Sequence, residues 1–185
     1  MKLVVGLGNP GKQYALTRHN VGFECLAELA RKHGTSKPKA AFQGEVVDAD
    51  LSGVRTLLLA PHTFMNRSGS SVAKALEFYK LPHTDLLVVC DDFHLPVATL
   101  RCRAKGTSGG QKGLADIIRC LGTEEFARLR IGIGEPPPNR DPADYVLGRF
   151  SKEERKELEP TIWRAADAVT VWAREGIENC MNKYN

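Results

Sequence analysis

Apolar residues occur along the chain in two patterns, as continuous runs and at intervals of three and four residues. Continuous apolar runs predict strands buried on both faces, as in the centre of a parallel sheet. These runs lie at residues 2–7, 85–90 and 126–134. Residues 42–60 are predicted to form a β-hairpin that turns at Ser52 and Gly53, and residues 97–105 one further strand.

Segments between these strands carry apolar residues three and four positions apart, which predicts helices. The segments are residues 20–33, 68–80, 114–122, and two pieces after Ser151 that are divided at Pro160. Asn20 is a candidate N-cap. Residues 35–40 are predicted to be a polar linker, and residues 135–142 a proline-rich surface loop.

Alternation of strands and helices favours an α/β fold. We therefore expect one globular domain over residues 1–185, with a mixed, mostly parallel twisted sheet flanked by helices. The length and the 42% hydrophobic content fit a single core of ordinary size. The absence of a bilayer-length apolar run and of a signal-peptide pattern in residues 1–20 predicts a cytoplasmic protein without a membrane partner.

Cysteine spacing and net charge narrow the class further. The five cysteines form no Cys-x-x-Cys pair, which argues against a zinc ribbon or a disulfide framework and favours buried free thiols. A net charge of +4 permits a polyanionic partner without requiring one.

Polar residues follow three predicted strands at the point where each strand ends. Asn9 and His19 follow the first strand, Asn66 follows residues 54–60, and Asp91 follows residues 85–90. Ligand sites of α/β sheets gather at the carboxyl ends of the strands, so we expect these clusters to converge. His19 is a candidate general base, and Asp91 can fix its tautomer.

Each candidate also has a structural interpretation. A histidine before a helix is often a surface or capping residue, and an asparagine after a strand often forms a turn. Phe64 and Met65 could be core residues rather than a wall of the site. A functional amide at Asn66 would bind backbone-like groups of a substrate or polarise a carbonyl.

Two groups of residues suggest a cofactor or a metal at first sight, but neither meets the structural requirements of such a site. Gly6, Gly8 and Gly11 match G-x-G-x-x-G, but the helix begins near Asn20 instead of inside the motif, which argues against a dinucleotide site. The glycines are better interpreted as turns. His62, Asp91, Asp92 and His94 match no known metal-ligand spacing, so neither a metal nor a cofactor is predicted.

A basic set follows later in the chain and predicts a phosphate-binding groove, with a solvated strand face as the alternative. Its members are Arg101, Arg103, Lys105, Lys112, Arg128 and Arg130. Few aromatic residues are interleaved with them, so recognition of a nucleic-acid backbone is favoured over base stacking.

Several motifs in order resemble the bacterial-type peptidyl-tRNA hydrolase family over essentially the whole chain. They are VVGLGNPGKQYALTRHNVGF, TFMNRSG, DDFHLP, GTSGGQKGLADII, FARLRIGIG and YVLGRF. The resemblance implies cleavage of the ester between a peptide and the tRNA 3′ ribose, with peptidyl-tRNA as the partner, no cofactor and no obligate protein partner. A monomer is expected.

The resemblance also implies roles for individual residues. His19 would be the general base and Asp91 its orienting acid. Asn9 would favour N-blocked substrates, while the acceptor end or the peptide would contact Tyr14, Phe64 and Asn66.

The chain departs from the family pattern at two positions. Lys112 stands where the family has an asparagine that places peptide and water, and a protonated lysine cannot accept a hydrogen bond. His94 replaces an acid near the base. Three alternatives therefore stay open: an altered hydrolase, a non-catalytic RNA-binding relative such as the chloroplast splicing factors of this fold, and a metal-dependent hydrolase.

Overall fold

The most apolar segments of the chain form the centre of one seven-stranded sheet. The protein is described over residues 1–185 by a computed structural model. Its strands are β1 (Lys2–Gly6), β2 (Lys39–Ala41), β3 (Gly44–Leu51), β4 (Val54–Pro61), β5 (Leu86–Asp92), β6 (Leu100–Arg103) and β7 (Ala127–Gly132). The strand order is β2-β3-β4-β1-β5-β7-β6.

The four central strands, β4, β1, β5 and β7, run parallel to one another. Antiparallel strands extend the sheet at both edges, β3 and β2 on one side and β6 on the other. All seven residues of β5 are buried, as its unbroken apolar run predicts. The predicted mixed, mostly parallel sheet is confirmed.

Helices cover both faces of the sheet. They are α1 (Val21–His33), α2 (Ser68–Tyr79), α3 (Lys112–Leu121), α4 (Pro142–Val146) and α5 (Lys152–Tyr184). Helices α1 and α5 pack on one face, and α2 and α3 on the other, with a separate apolar cluster beneath each pair. The molecule is therefore a three-layer α/β/α domain.

Short 3₁₀ turns connect several of these elements, and three of them carry candidate site residues. They span Lys12–Tyr14, Arg18–Asn20, Met65–Arg67 and His83–Asp85. The turns at Arg18–Asn20 and Met65–Arg67 directly precede α1 and α2, so each delivers its side chains at the start of a helix.

The predicted proline-rich loop is confirmed over residues 135–141, and the Asp141 side chain at its end caps the first turn of α4. Three predictions of strand and helix boundaries were wrong. The predicted polar linker contains β2, which pairs with the hairpin strand β3 and gains order from that edge. The strand predicted at residues 97–105 is limited to β6, because residues 95–99 turn against the end of β7.

The third error concerns Pro160, which does not divide α5. Packing of Leu158 and Ile162 into the core holds the helix through the proline, and the Thr161 hydroxyl donates to the Glu157 carbonyl nearby. The helical dihedral angles are interrupted instead at Gly176, where φ is 84°.

Gly6 and Gly22 serve close packing rather than turns. A Cβ on Gly22 would lie 2.5 Å from the Leu7 backbone nitrogen and 2.6 Å from the Val89 carbonyl oxygen. A Cβ on Gly6 would lie 2.3 Å from the Gly22 carbonyl oxygen. Main chain therefore contacts main chain where α1 begins, and the turn interpretation of Gly6 was wrong.

None of the helices combines the length and the apolar composition that crossing a bilayer requires.

Candidate active site

A cleft of about 470 Å³ opens at the carboxyl ends of β1, β4 and β5. The three polar clusters that follow these strands converge there, as predicted from the topology. The cleft is lined by nine of the residues discussed in the sequence analysis: Asn9, His19, Phe64, Met65, Asn66, Asp91, Asp92, Lys112 and Arg130. Tyr14, Arg101, Arg103 and Lys105 lie outside its walls.

His19 and Asp91 form a buried pair at the floor of this cleft. Nδ1 of His19 lies 2.9 Å from each carboxylate oxygen of Asp91. The exposed fractions are only 8% for His19 and 3% for Asp91. An ionised Asp91 accepts the Nδ1 proton, which leaves Nε2 of His19 as the unprotonated nitrogen that can take a proton in the cleft.

Arg18 anchors the 3₁₀ turn that carries His19. Its guanidinium donates to both carboxylate oxygens of Glu154, at 3.0 and 2.7 Å, and to the Ile133 carbonyl at 3.1 Å. The rings of Tyr145 and Phe150 contact the same guanidinium, with its carbon 4.4 and 4.6 Å from their centroids. The turn that carries His19 is thus tied to α5 and to the end of β7.

Burial raises the pKa of Glu154, but hydrogen bonds from Arg18 and from the Ser151 backbone outweigh it. The net result is a pKa below the ordinary value for a glutamate. Glu154 also belongs to a capping box with Ser151, so one carboxylate both starts α5 and holds Arg18. The link from this cap to the site joins residues that are distant in sequence, and the sequence analysis did not predict it.

The Asn20 side chain forms hydrogen bonds with the backbone of Asn9 and does not cap α1. Its side-chain oxygen accepts from the Asn9 N–H at 2.9 Å, and its amide nitrogen donates to the Asn9 carbonyl at 3.0 Å. No side-chain capping hydrogen bond is present at Asn20, so the N-cap prediction was wrong. This pair holds the loop after β1 against the turn that carries His19.

The Asn9 side chain in turn positions the segment before α2. Its Oδ1 accepts from the Met65 backbone N–H at 2.8 Å, and this leaves the amide N–H₂ without a partner in the cleft wall. Because the oxygen is occupied, Asn9 presents a donor to the cleft. Asn66, one residue beyond Met65, is exposed and has no side-chain hydrogen bond.

Phe64 stands at the mouth of the cleft in a strained conformation. Its φ of 59° and ψ of 158° lie in a region that is essentially restricted to glycine. The ring is 53% exposed and meets Tyr14 edge to face, with centroids 6.4 Å apart. Tyr14 therefore joins the site through Phe64, at its rim.

Gln111 is a site residue that the sequence analysis did not select. Its Nε2 donates to Asp91 at 3.1 Å, while its Oε1 accepts from the Leu114 N–H at 2.8 Å and so caps α3. Asp91 thereby has fixed neighbours on both sides, the imidazole and the capped helix. A glutamine directly before a helical pattern was the available signal.

Asp92 contacts Arg130 and His94 instead of His19. Its carboxylate lies 2.6 Å from the Arg130 guanidinium and 3.3 Å from Nδ1 of His94. The Arg130 contact is an ion pair that is not aligned as a hydrogen bond. His94 stands where the family pattern has an acid. Its side chain faces Asp92 and not His19.

The basic residues divide into different environments. Arg101 lies opposite Arg130, and Arg103 lies opposite Arg128, so the four share one sheet face. Arg128 is buried, and its guanidinium donates to carbonyls of the glycine-rich loop at residues 105–113, including that of Thr107 at 3.1 Å. Burial lowers its pKa. Arg128 therefore supports the loop and was wrongly included in the predicted groove.

The remaining cations are placed at the surface. Arg103 and Lys105 are exposed, and Lys105 pairs with Glu125 at 3.1 Å. Lys112 is the first residue of α3, exposed at the cleft, where free backbone N–H groups of the helix also point.

The thiol in the cleft wall is not activated. Burial raises the pKa of Cys90, and the carboxylate of Asp91 raises it further. Cys90 therefore stays a thiol at neutral pH. No group of three His, Cys, Asp or Glu side chains converges to the distance that a metal site needs.

Fold and site together define the class: an α/β protein with a histidine–aspartate pair at the carboxyl edge of its parallel strands. A family model described as peptidyl-tRNA hydrolase matches residues 3–185. The chain is 50% identical to the peptidyl-tRNA hydrolase of Rhodopirellula baltica, covering 100% of this chain and 97% of the relative. The corresponding protein of Carboxydothermus hydrogenoformans is 49% identical, with coverage of 100% and 98%.

Solved structures agree with the sequence relatives. The crystal structure of peptidyl-tRNA hydrolase from Acinetobacter baumannii has a TM-score of 0.93 at 35% identity, over 100% of this chain and 94% of that one. The chain belongs to the peptidyl-tRNA hydrolase family.

Proposed function

We propose that the protein hydrolyses the ester between a peptide and the 3′ end of tRNA, with His19 as general base and Asp91 as its orienting acid. The observation that carries this assignment is the buried His19–Asp91 pair, 2.9 Å apart, at the floor of an amide-lined cleft. Relatives that match over the full chain are named for this reaction.

Nε2 of His19 takes a proton from water, and the resulting hydroxide attacks the ester carbonyl carbon. Asp91 stabilises the imidazolium that forms, because its carboxylate is already in place before the reaction. Collapse of the tetrahedral intermediate breaks the bond to the ribose oxygen, and the imidazolium returns its proton to that leaving group. The products are a free peptide carboxylate and tRNA.

Amide groups stabilise the reacting carbonyl and hold the peptide. The Asn9 N–H₂ is a preoriented donor, because the Met65 N–H fixes the direction of the side chain. Asn66 offers both a donor and an acceptor to a peptide main chain. Recognition through main-chain groups suits a substrate whose side chains vary, and Phe64 with Tyr14 supplies an apolar rim.

Cations at one edge of the cleft bind the tRNA phosphates. Lys112 combines its ammonium with the N-terminus of α3, where helix N–H groups and the dipole favour an anion. Arg130 lines the same edge, and Arg101, Arg103 and Lys105 continue the positive surface beyond it. In this role Lys112 replaces an amide by a phosphate contact.

The site is composed of residues from one chain, which supports action as a monomer without an obligate protein partner. We place the protein in the cytoplasm, where its proposed substrate is produced by translation.

The test compares the wild type with His19→Ala on N-acetyl-aminoacyl-tRNA and on unblocked aminoacyl-tRNA. Wild type is expected to release the blocked amino acid rapidly and the unblocked one slowly, and His19→Ala to release neither. His33→Ala, at the end of α1 away from the cleft, is the matched control and should behave as wild type.

Three results would change the assignment. Undiminished release by His19→Ala would exclude His19 as the base, whereas tRNA binding without release by the wild type would support a non-catalytic RNA-binding protein. Loss of activity in excess chelator would support the metal-dependent alternative.

A further inference from the structure

Two buried thiols meet at the edge of the sheet farthest from β2. Cys102 lies on β6 and Cys180 lies on α5, and their sulfur atoms are 3.3 Å apart. Both side chains belong to the large apolar cluster, with exposed fractions of 0% and 1%. No other pair among the five cysteines is in contact.

The side chain of Asn185 also contacts Cys102, through two hydrogen bonds to its backbone. Oδ1 of Asn185 accepts from the Cys102 backbone N–H at 2.6 Å, and its Nδ2 donates to the Cys102 carbonyl at 3.1 Å. Asn185 thus pairs with the free edge of β6 as a neighbouring strand would. Cys102 is therefore fixed by its backbone and by its thiol to the segment 177–185.

Hydrogen bonding polarises the two thiols differently. The Cys180 thiol can donate to the Ala168 carbonyl at 3.3 Å, so the Cys102 thiol donates to the Cys180 sulfur. This contact lowers the pKa of Cys180 and raises the pKa of Cys102. Cys180 is consequently the better nucleophile of the pair.

We propose that Cys102 and Cys180 are a reversible disulfide site that locks the C-terminal segment 177–185 onto the edge strand β6 when the protein meets a peroxide. The segment follows Gly176, where the helical dihedral angles are interrupted, and terminal segments open at low free-energy cost. Opening of this segment gives the oxidant access to Cys180.

The reaction balances with one peroxide. The Cys180 thiolate attacks a peroxide oxygen, the O–O bond breaks, and a sulfenic acid and one water result. The Cys102 thiolate then attacks the Cys180 sulfur, the S–S bond forms, the S–O bond breaks, and the second water leaves. Two thiols lose two electrons and two protons, and the peroxide is reduced to two waters.

The lock would protect the basic face of the sheet. Arg101 and Arg103 flank Cys102 on β6 and point to the opposite face, beside Arg130. A covalent link that spans 78 residues of sequence reduces the conformational freedom of the unfolded chain. Because the link joins residues that already touch, it is expected to leave the cleft unchanged.

The experiment uses the protein with Cys120→Ser, which removes the one thiol that is not buried. Treatment with a small excess of hydrogen peroxide should lower the intact mass by about 2 Da, and dithiothreitol should reverse it. Peptide mapping should find Cys102 joined to Cys180. The oxidised protein should melt on the order of 10 °C higher, with hydrolysis of N-acetyl-aminoacyl-tRNA retained.

Matched variants separate this site from general thiol oxidation. Adding Cys180→Ser or Cys102→Ser should abolish the mass loss, whereas adding Cys25→Ser should not. Peptide mapping uses the protein that keeps both Cys102 and Cys180. The result therefore does not depend on whether a variant with a substituted core cysteine folds. Oxidation of Cys180 to a sulfinic acid without a link, or no mass change even at temperatures where the segment opens, would overturn the proposal.

Discussion

Replacing Asp91 by asparagine tests whether the carboxylate charge, and not only its shape, supports the base. The amide oxygen introduced by Asp91→Asn can still accept from Gln111, and the side chain keeps its volume on β5. The variant therefore removes the charge while the packing around residue 91 is preserved. We expect the free energy of unfolding to change by no more than about 1–2 kcal/mol.

The effect on catalysis follows from the geometry of the pair. With Nδ1 2.9 Å from both carboxylate oxygens, the centres of charge in the imidazolium state are about 4 Å apart. At an effective dielectric constant of about 20, such a pair is worth about 4 kcal/mol, or roughly 10³ in rate. The amide dipole recovers part of this, so kcat should fall by about 10²- to 10³-fold.

The assay is release of N-acetyl-amino acid from its tRNA under saturating and subsaturating substrate. Asp91→Asn should lower kcat with little change in KM, because the lost interaction is made only in the transition state. Asp92→Asn is the matched comparison, since Asp92 is the next residue, is similarly buried, and binds Arg130 instead of His19. It should keep kcat within about threefold and lower KM by freeing Arg130 for phosphate.

A kcat for Asp91→Asn within about tenfold of the wild type would refute the electrostatic argument. A similar loss in kcat for both aspartate variants would show that the negative charge of the strand end acts without a specific pair.

Three further predictions concern the supports of the site. Asn20→Ala removes both hydrogen bonds to the Asn9 backbone and leaves its buried N–H without a partner; the unfolding free energy measured in urea should fall by about 2–3 kcal/mol, together with kcat. Lys112→Asn should raise KM and reduce the salt dependence of tRNA binding by about one phosphate contact, with kcat changed less. Because the pKa of Glu154 is lowered in the folded state, its pairing with Arg18 stabilises the fold above the unfolded pKa near 4.5 and is lost as pH falls further; thermal melts from about pH 6 to pH 3 should show a steeper loss for the wild type than for Glu154→Gln.

The strands and the meeting of the polar clusters were predictable because both follow from local pattern and sheet topology. The continuous apolar run at residues 85–90 is enough by itself to predict a central strand of the sheet. Asp91 then follows at the carboxyl end of that strand, where ligand sites form. The positions of His19 and Asp91 could therefore be inferred before any distance was known.

Residues that support the site could not be predicted, because their partners are distant in sequence. Arg18 meets Glu154 across 136 positions, and Gln111 meets Asp91 across 20. Each of these side chains has an ordinary local interpretation, as a surface cation or as a polar residue in a glycine-rich loop. Only the fold reveals that they hold the turn of His19 and the carboxylate of Asp91 in place.

Errors in local structure share a physical cause. Pro160 disrupts an isolated helix, but here core packing on both sides outweighs one missing hydrogen bond. In the same way β2 has no apolar pattern, since it is an edge strand ordered by its neighbour. Tertiary contacts decided both cases against local propensity.

The contact of Gly22 with β1 and β5 has a consequence for how this enzyme can vary. Gly22 follows His19 by three residues and touches the Val89 carbonyl, two residues before Asp91. The separation of His19 and Asp91 is therefore set by a direct contact of backbone with backbone, with no side chain between the two segments. Apolar residues of α1 and of the core can be exchanged without changing that separation, whereas a single methyl group at position 22 would push His19 away from Asp91.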